Sequence, residues 1–493
     1  MPSYRETFSE YRDRFESESH FLHVVLPSVV RPGEPFDAQA VMMDARGMPE
    51  EGWAGRVGLR PNDPALRTPE CVEFAPEDLG RKTIEGLVAE EPGGYYLRTE
   101  PPDCPGAAPV STPTLCREQG PRLYWGDIHF HTVVGNCHPD WCKSPDFGYW
   151  YARNVALLDF AAATDHLRGI HRIDGNWDVI RRSAREWSCP GEFVTFLAFE
   201  SSHAIGYGGD NNIYYRDGDA DYFWVDREDM KGVSPRVSLD RLWGWLDRQG
   251  APYLSIPHHT GRAGKYRDFE DPYHNPDRET VLEVFSWWGS SQARHDDLYL
   301  LRGKTDARAY WQDALKLGYR YGVIGSSDTH HTMPGTPFPT NPDNYHYAHM
   351  RLNCQGLAGI YAEKLERGAL FDALLQRQCF ATTWWRPIVE LSVSGVPMGR
   401  QAVADADARG PRRIQATVVS SKPGSVELLR NNEVIERERM EAGLNELSFL
   451  DEEPLEKLVI RDAPKADEPF AFYHLKAHWN CQIAWSSPVW LTL

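Results

Sequence analysis

The sequence contains no long apolar run and no apolar segment near its first residue. No stretch approaches the roughly 18 consecutive apolar residues that a membrane-spanning helix requires. Residues 1–10 are polar and charged for the most part, unlike a secretory signal. We therefore expect no membrane partner and a cytoplasmic location.

Positive charge and paired cysteines are also scarce. The chain has 53 basic and 71 acidic residues and a formal net charge of -18, so the long basic face of a nucleic-acid-binding protein is not expected. A small anionic substrate is compatible with this charge, because bound metal ions can supply local positive charge. The nine cysteines include no CxxC pair and are expected to be mostly reduced thiols.

The 493 residues are too many for one compact core and predict several domains. Residues 1–22 predict a helical or loose arm. Residues 23–120 alternate short β-type runs with turn signals, which indicates a β-sandwich and a proline-rich linker from about residue 100. Residues 387–493 return to this pattern and predict a second β-sandwich.

Residues 121–386 alternate strand-like and helix-like segments, which favours a parallel, barrel-like (β/α) array. The predicted strands are Leu123–His131, Leu158–Thr164, Phe193–Phe199, Tyr253–Pro257, Val281–Ser286, Tyr321–Gly325 and Cys379–Thr383. The predicted helices are Phe147–Leu157, Trp177–Trp187, Leu239–Arg248, Ala307–Leu317 and Ala362–Arg377. Residues 204–236 and 331–357 are longer than ordinary connections and are predicted to be active-site loops.

Side chains of the kinds that bind metals stand at the ends of five of the seven predicted strands. His129 and His131 are two residues apart on one strand, so both face the same side. In a (β/α) array, reactive groups collect at the carboxyl ends of the strands. We therefore expect these side chains to converge on divalent metals. The candidate ligands are His129, His131, Asp165, His166, Glu200, His258, His259, Asp328 and His330.

The ligand set is larger than one ion needs. Glu200 is predicted to bridge two ions, because each carboxylate oxygen can bind one of them. His258 and His259 are adjacent on a strand and should face opposite ways, so only one is expected to coordinate. We expect two divalent ions, with a third as an alternative, and imidazole and carboxylate ligands suit zinc, manganese, iron or nickel.

Four strand-end phrases resemble the motif set of the PHP (polymerase and histidinol phosphatase) metal-dependent phosphoesterases. They are Gly126-Asp-Ile-His-Phe-His131, Ala163-Thr-Asp-His166, Ser255-Ile-Pro-His-His259 and Gly325-Ser-Ser-Asp-Thr-His330. Together with Glu283-Val-Phe-Ser-Trp-Trp-Gly-Ser-Ser and Ala484-Trp-Ser-Ser-Pro-Val-Trp, they make the chain similar to the PHP-related group DUF3604 from about residue 120 onwards. The resemblance implies a distorted (β/α)7 barrel flanked by the two β-sandwich-like domains.

The PHP pattern, carried over residue by residue, also implies a ligand set. It contains His129, His131, His166, Glu200, Asp328 and His330, with either His258 or His259. Two departures stand out. A further histidine is often found near position 137, where this chain has Cys137 and His138. His203 and Asp210 are both candidates for the histidine that follows the bridging glutamate.

The predicted activity is hydrolysis by a metal-activated hydroxide, with phosphoesters as the favoured substrates. The candidate catalytic residues are Asp328, His259 and Glu200. The candidate side chains for an anionic substrate are Arg168, His171, Arg262 and Lys265. The alternatives are a two-metal hydrolase of carboxylic esters, lactones or amides, and a non-catalytic binding protein with structural metals. The expected partner is a small molecule, and the oligomeric state stays open.

Overall fold

The computed structural model describes most of the chain in eleven segments. They are residues 21–44, 47–100, 110–135, 142–166, 175–223, 225, 229–231, 234–336, 355–405, 409–480 and 482–493. Cys137, His138, Arg168 and His171, together with residues 1–20 of the predicted arm, lie outside the described residues. In the described part of the chain, no helix is both long enough and apolar enough to cross a membrane.

The described residues of the amino-terminal region form ten short strands and one 3-10 turn. They are β1 Phe21–Val25, β2 Val29–Val30, β3 Pro35–Met43, β4 Gly55–Pro61, β5 Leu66–Arg67, β6 Cys71–Phe74, the 3-10 turn Pro76–Asp78, β7 Arg81–Ala89, β8 Gly93–Tyr95, β9 Leu97–Glu100 and β10 Thr114–Cys116. One sheet has the order β1-β3-β7-β5, a second β6-β4-β9 and a third β2-β10-β8. Ala38 and Ala40 of β3 face a core that also contains Leu59 and Phe74 of the second sheet. The first and second sheets therefore enclose a common core, as in a β-sandwich.

The predicted linker is partly built into this region. Thr114–Cys116 forms β10, which pairs with β2 and β8. Ser111 and Thr114 are fully buried, and Ser111 Oγ accepts a hydrogen bond of 2.9 Å from the Leu97 amide. The proline-rich composition indicated a linker, but residues in the carboxyl-terminal half of that stretch form a strand of a sheet and are buried in the core.

The described residues of the central region form thirteen strands and five α-helices. The strands are β11 Arg122–Phe130, β12 Phe160–Ala163, β13 Val194–Thr195, β14 Leu197–Ser201, β15 Asn211–Tyr215, β16 Met230–Lys231, β17 Ser234–Pro235, β18 Tyr253–Pro257, β19 Val281–Ser286, β20 Gly289–Ser290, β21 Gly322–Gly325, β22 Leu357–Ala362 and β23 Cys379–Thr382. The helices are α1 Pro145–Asn154, α2 Asn176–Glu186, α3 Leu239–Gln249, α4 Trp311–Leu317 and α5 Arg367–Leu375, and a 3-10 turn covers Val133–Gly135.

A helix is found at each of the five predicted places, but the last two are shorter than predicted, and Ala362 lies in β22 instead of a helix. Local sequence explains several of the helix ends. Ser144 is the N-cap of α1, where its side chain accepts a hydrogen bond from the Phe147 amide, and Pro145 occupies the first turn. Helix α3 ends at Gly250, whose φ of 77° closes the helix in the left-handed conformation. The helices pack against the central strands in separate core clusters.

The predicted parallel (β/α)7 array is not seen in the described residues. Neighbouring strands run parallel in the pairs β11–β12, β12–β13 and β19–β21. In contrast, β14, β15 and β18 form an antiparallel sheet, and β22 is antiparallel to both β11 and β23. Strand β15 lies within the stretch predicted to be a loop, and it returns antiparallel to β14 after the connecting residues 202–210. The region is thus a mixed α/β array with more strands than helices.

Isolated bridges connect the carboxyl ends of the central strands to one another. Phe130 pairs with Thr329, His166 with Glu200, and His258 with Glu283, all in parallel. These bridges link β11 to the segment after β21, β12 to β14, and β18 to β19. The strand ends are therefore held close together, and the predicted ligand residues stand at or next to each link.

The carboxyl-terminal region shares a sheet with the central region. Its elements are β24 Ile388–Val393, β25 Val396–Pro397, β26 Gln401–Val403, β27 Arg412–Ser420, β28 Gly424–Arg430, β29 Glu433–Met440, β30 Gly443–Asp451, α6 Leu455–Leu458, β31 Phe470–Trp479, β32 Gln482–Ser486 and β33 Val489–Thr492. The order β13-β12-β11-β22-β23-β32-β31-β28-β29 forms one continuous sheet. A second sheet, β25-β24-β27-β30, packs against it.

Candidate metal centre

The backbone brings the end of β11 and the segment after β21 into contact. The Asp328 amide donates a hydrogen bond of 2.7 Å to the His129 carbonyl, and the His131 amide donates one of 2.8 Å to the Thr329 carbonyl. Because His129 and His131 face the same side, these bonds set both imidazoles opposite Asp328 and His330. Residues nearly 200 positions apart in sequence therefore meet at one point.

Nine buried side chains form four overlapping groups in which the ligand atoms lie within 4.8 Å of one another. The groups are His131, His166 and His330; His129, His131 and Asp328; His129, Glu200 and His258; and Asp210, His258 and His259. His131, His129 and His258 each belong to two groups. Three shared imidazoles thus connect the groups into one continuous cluster of nitrogen and oxygen ligands.

Two carboxylates stand between the imidazoles. Glu200 Oε2 lies 3.1 Å from His166 Nδ1 and 3.4 Å from His131 Nε2, while its Oε1 lies 3.4 Å from His258 Nε2. Asp328 Oδ1 lies 3.0 Å from His131 Nε2 and 3.2 Å from His129 Nε2. The two oxygens of Glu200 thus face different imidazoles, an arrangement that would allow this carboxylate to bridge two ions.

Burial and close charges shift the pKa values of the cluster. Burial alone would raise the pKa of Asp328, but the His129 and His131 imidazoles hold it well below its usual range. Burial alone would lower the pKa of His129, but Asp328 and Glu283 raise it well above the usual value. In Glu200, His258 outweighs the effect of burial and lowers the pKa. The carboxylates are therefore anionic and are matched by positive charge, which bound cations would supply in place of protons.

His258 and His259 lie on the same side of the strand end, contrary to the expected alternation. Their rings are stacked, with centroids 4.3 Å apart and an interplanar angle of 4°. His259 has a φ of 34°, outside the extended region, because the chain turns sharply after β18. Because of this turn, the two adjacent side chains do not point to opposite faces as they would in a regular strand. Both imidazoles therefore reach the group that contains Asp210.

His203 and Asp210, the two alternatives after Glu200, have different surroundings. Asp210 Oδ2 lies 3.2 Å from His259 Nε2 and belongs to a ligand group. His203 lies outside the groups, with Nδ1 2.6 Å from the Val237 carbonyl and Nε2 2.9 Å from Ser201 Oγ. Burial lowers the pKa of His203 to about 4, so its ring is neutral and held by these two bonds.

Asp165 is buried but does not belong to any of the four groups. Its Oδ1 accepts a hydrogen bond of 2.6 Å from the Thr132 amide, and its Oδ2 accepts one of 2.6 Å from Thr132 Oγ1. These bonds hold the chain directly after His131. The Asp165 carboxylate thus stabilises the turn that follows β11, whereas the neighbouring His166 reaches the ligand cluster.

Two acidic residues that the sequence analysis did not propose as site residues contact His129 of the cluster. Glu283 Oε2 lies 2.8 Å from His129 Nδ1. Asp127 Oδ1 accepts hydrogen bonds from the His129 and Ser327 amides, and its Oδ2 accepts one from the Gly335 amide. Glu283 interrupts an otherwise apolar strand, Val281-Leu-Glu-Val-Phe, and this is the signal that could have identified it.

Arg262 is the predicted substrate residue that lies deepest beside the cluster. Its side chain is almost fully buried, and its guanidinium carbon lies 3.8 Å from the centre of the Trp288 ring. No described side chain forms an ion pair with it, and its Nε lacks a hydrogen-bond partner among the described residues. Lys265 differs, because its Nζ lies 3.0 Å from Asp210 Oδ2. A buried cation without a partner is costly, so this position favours an incoming anion.

The donor set fits divalent metals. Both ring nitrogens of His258 and Nε2 of His129 are buried and lack a partner with hydrogen-bond geometry in the described part of the chain. Buried polar atoms of this kind are rare unless a ligand satisfies them. Imidazole nitrogen and carboxylate oxygen are ligands for zinc and for other first-row metals. The cluster offers more ligands than the four of a closed structural zinc site.

Comparisons with known proteins identify no family for the chain. No family model matches it. An uncharacterized protein of Chlamydia pneumoniae is 24% identical over 436 residues, covering 85% of this chain and 65% of that protein. An uncharacterized protein of Chlamydia trachomatis is 28% identical over 250 residues, covering 49% of this chain and 38% of that protein. The chain thus spans less than two thirds of the length of these curated relatives.

Solved structures give only distant likenesses. A two-domain protein from Bacteroides vulgatus, described as containing a predicted PHP-like metal-dependent phosphoesterase, aligns with 11% identity and a TM-score of 0.36. That alignment covers 72% of this chain and 91% of the other. The α2-macroglobulin of Escherichia coli aligns with 9% identity and a TM-score of 0.18, covering 97% of this chain and 24% of the other. At these TM-scores neither structure supports a conclusion about the fold or function of this chain.

Proposed function

We propose that the protein is a metal-dependent hydrolase that acts on anionic phosphoesters. The observation that carries this proposal is the cluster of nine buried ligand-type side chains, connected through shared imidazoles. Its strand-end motifs resemble those of the PHP phosphoesterases, which supports the reaction class. We assign the cluster two divalent ions, with room for a third, because Glu200 directs its two oxygens to different imidazoles.

Bound divalent ions would acidify a coordinated water and polarise the bond to be cleaved. Glu200, Asp328 and the histidines of the cluster other than His259 would hold the ions. His259 is the candidate for moving a proton, since burial and then the His258 and Arg262 charges lower its pKa well below the usual value. The lowered pKa keeps this imidazole neutral at pH 7, which is the protonation state that a proton acceptor requires.

Arg262 would bind the anionic part of the substrate. Its buried guanidinium lies against Trp288 and has no carboxylate partner within 4 Å among the described residues. A phosphoryl or carboxylate group could accept two parallel hydrogen bonds from such a side chain. Trp287 and Trp288 lie beside His330 and His259, with ring centroids 5.9 and 6.1 Å away, and would form an apolar wall.

The test is a comparison of substrates on metal-loaded protein. Aryl phosphate, phosphodiester, carboxylic ester and lactone probes are assayed after loading with zinc, manganese or iron, with chelated protein as the blank. We expect release of phosphate that is lost in the His129→Ala variant. The exposed His295→Ala variant is the control and should retain activity. If only carboxylic esters or lactones are hydrolysed, these compounds and not phosphoesters are the substrate class. If no probe is hydrolysed faster than in the chelated blank, the hydrolase assignment is rejected.

A further inference from the structure

A cavity lies at the other end of the central strands from the metal-ligand groups. Its volume is about 480 Å³, and its lining includes residues of β1 and β3, the segment after α1 and the start of β11. This volume is in the range of small-molecule sites. Tyr124 lines the cavity and His129 belongs to the ligand groups; five residues of extended strand separate them by about 17 Å. The two sites are therefore distinct.

Arg386 is the most deeply buried charged residue of the cavity lining, at 3% exposure. Its Nη1 and Nη2 donate hydrogen bonds of 2.8 and 2.5 Å to the Leu157 and Ala156 carbonyls, just after α1. Its Nε is buried and has no partner among the described residues. None of the described carboxylates lies within 4 Å of this guanidinium. One charged donor thus remains unsatisfied at the cavity.

Two further guanidiniums of the lining are also without a carboxylate partner in the described ranges. Arg81 lies over the Trp150 ring at 5.9 Å. Arg122 donates a hydrogen bond of 3.3 Å from Nη1 to the Val29 carbonyl and is exposed at the rim. The fourth arginine, Arg153, is paired with Glu192 at 2.5 Å. Three arginines therefore keep their charge unmatched by a direct ion pair.

In the described part of the chain, the acidic residues of the lining form no ion pair within 4 Å with Arg81, Arg122 or Arg386, although the Asp159 charge partly offsets the effect of burial on the pKa of Arg386. Asp37 accepts a hydrogen bond of 2.9 Å from the Gly86 amide, and Asp159 accepts one of 2.7 Å from the Trp125 amide. With Glu192 paired to Arg153, the lining has four arginines and three carboxylates. This local excess of positive charge contrasts with the net charge of -18 of the whole chain and favours an anionic ligand.

The remaining lining is apolar. Trp125, Leu158 and Val29 are buried, with exposures of 2–3%, and the half-buried Leu157 lies beside them. An inorganic ion would contact the arginines but not these side chains. We propose that the cavity binds a small organic anion, in which an apolar body packs on Trp125 and Leu158 and a carboxylate meets the arginines. The proposal does not depend on the hydrolase assignment, because no residue of this cavity belongs to the metal-ligand groups.

The test is calorimetric titration of the full-length protein with benzoate and with benzamide. Benzamide has nearly the same shape but no charge. We expect benzoate to bind and benzamide to bind about tenfold more weakly or not at all. The Arg81→Gln/Arg122→Gln double variant should bind benzoate about tenfold more weakly. The Arg60→Gln control removes an exposed arginine of β4 that pairs with Glu100 and should bind like the unmodified chain.

The His131→Ala variant separates this cavity from the metal centre. We expect it to bind benzoate with unchanged affinity, whereas loss of binding would place benzoate at the metal centre and overturn the proposal. Equal affinity for benzoate and benzamide would also overturn it, as would unchanged benzoate affinity in the double variant. Thermal unfolding confirms that each variant is folded. If the double variant does not fold, the Arg122→Gln single variant takes its place and should weaken benzoate binding about threefold.

Discussion

Glu283 Oε2 lies 2.8 Å from His129 Nδ1, and both side chains are fully buried. The contact leaves Nε2 of the same ring turned towards Asp328 Oδ1 at 3.2 Å. A carboxylate at Nδ1 holds an imidazole in one orientation and one tautomer and makes its other nitrogen a better ligand. We therefore expect Glu283 to act as a positioning residue for His129.

The Glu283→Gln variant tests this role. Glutamine keeps the shape of the side chain but removes the charge that orients the imidazole, so metal affinity should fall about 10- to 100-fold. Competition with a chromophoric chelator measures this affinity directly. The control is Glu270→Gln, an exposed glutamate paired with Arg308, which should leave metal affinity unchanged. Equal affinities in the two variants would remove Glu283 from the metal centre.

His131 belongs to two of the four ligand groups. Its replacement in His131→Ala should therefore cost at least one ion per chain, measured by elemental analysis after metal loading and desalting. His203 is the matched control, since it is equally buried but bonded to the Val237 carbonyl and Ser201. The His203→Gln variant should keep its full metal content. A loss in both variants would indicate general damage rather than a missing ligand.

The Arg262→Gln variant should bind phosphate more weakly without becoming less stable. The buried guanidinium has no ion-pair partner among the described residues, so the variant should weaken the binding of inorganic phosphate to metal-loaded protein by about tenfold or more. Removing an unpaired buried charge should not lower the unfolding temperature. Titration calorimetry and thermal unfolding measure the two effects, with the exposed Arg308→Gln as control. Unchanged phosphate affinity would exclude Arg262 as an anion-binding residue.

The Asp165→Asn variant tests whether Asp165 binds a metal ion or instead stabilises the turn after β11. The Asp165 carboxylate accepts two hydrogen bonds from Thr132 and lies outside the ligand groups. The variant should therefore lose about 1–3 kcal/mol in its free energy of unfolding while keeping its metal content. Urea unfolding and elemental analysis check the two parts. Loss of an ion in Asp165→Asn would instead support the role that the sequence predicted.

Buried His474 should make the protein less stable in mild acid. Burial, followed by the Lys476 charge, lowers its pKa from 6.5 to about 3. The unfolded state therefore binds more protons between about pH 3 and 6.5, and stability falls as the pH falls through this window. His474→Phe removes the titrating group, so it should lose about 2 kcal/mol less than the unmodified chain between pH 7 and pH 5.

Urea unfolding at the two pH values measures this difference. The matched control is His295→Phe, in which an exposed histidine is replaced. This control should keep the pH dependence of the unmodified chain. If His474→Phe shows that same pH dependence, the acid sensitivity arises elsewhere, for example at His23, whose pKa burial lowers to about 3.

Much of the candidate site could be predicted from the sequence because strand periodicity is a local property. His129 and His131 face one way whatever their neighbours are, and the strand ends carry the other ligand residues. Asp165 shows the limit of this reasoning. It precedes His166 at the same strand end, yet its carboxylate bonds to Thr132, and only the path of the chain after β11 decides between the two roles.

The fold was less predictable because strand direction depends on distant partners. Tyr253–Pro257 and Val281–Ser286 form strands with the predicted bounds. Nothing local in Asn211–Tyr215 indicated that this segment lies between β14 and β18 and runs against both. The alternation of strands and helices therefore indicated a parallel array where pairing between neighbours makes part of it antiparallel.

The pairing of β23 with both β22 and β32 has a consequence for the way this chain can be divided. Phe380, Ala381 and Thr382 share their register with Ser486, Trp485 and Ala484, so the last strands complete a ladder begun some hundred residues earlier. A fragment ending near residue 386 would present β23 as a bare, apolar edge, the kind of surface that recruits other chains into aggregates. We therefore expect that removing residues 387–493 would expose this edge of β23 and lower the solubility of the remaining chain.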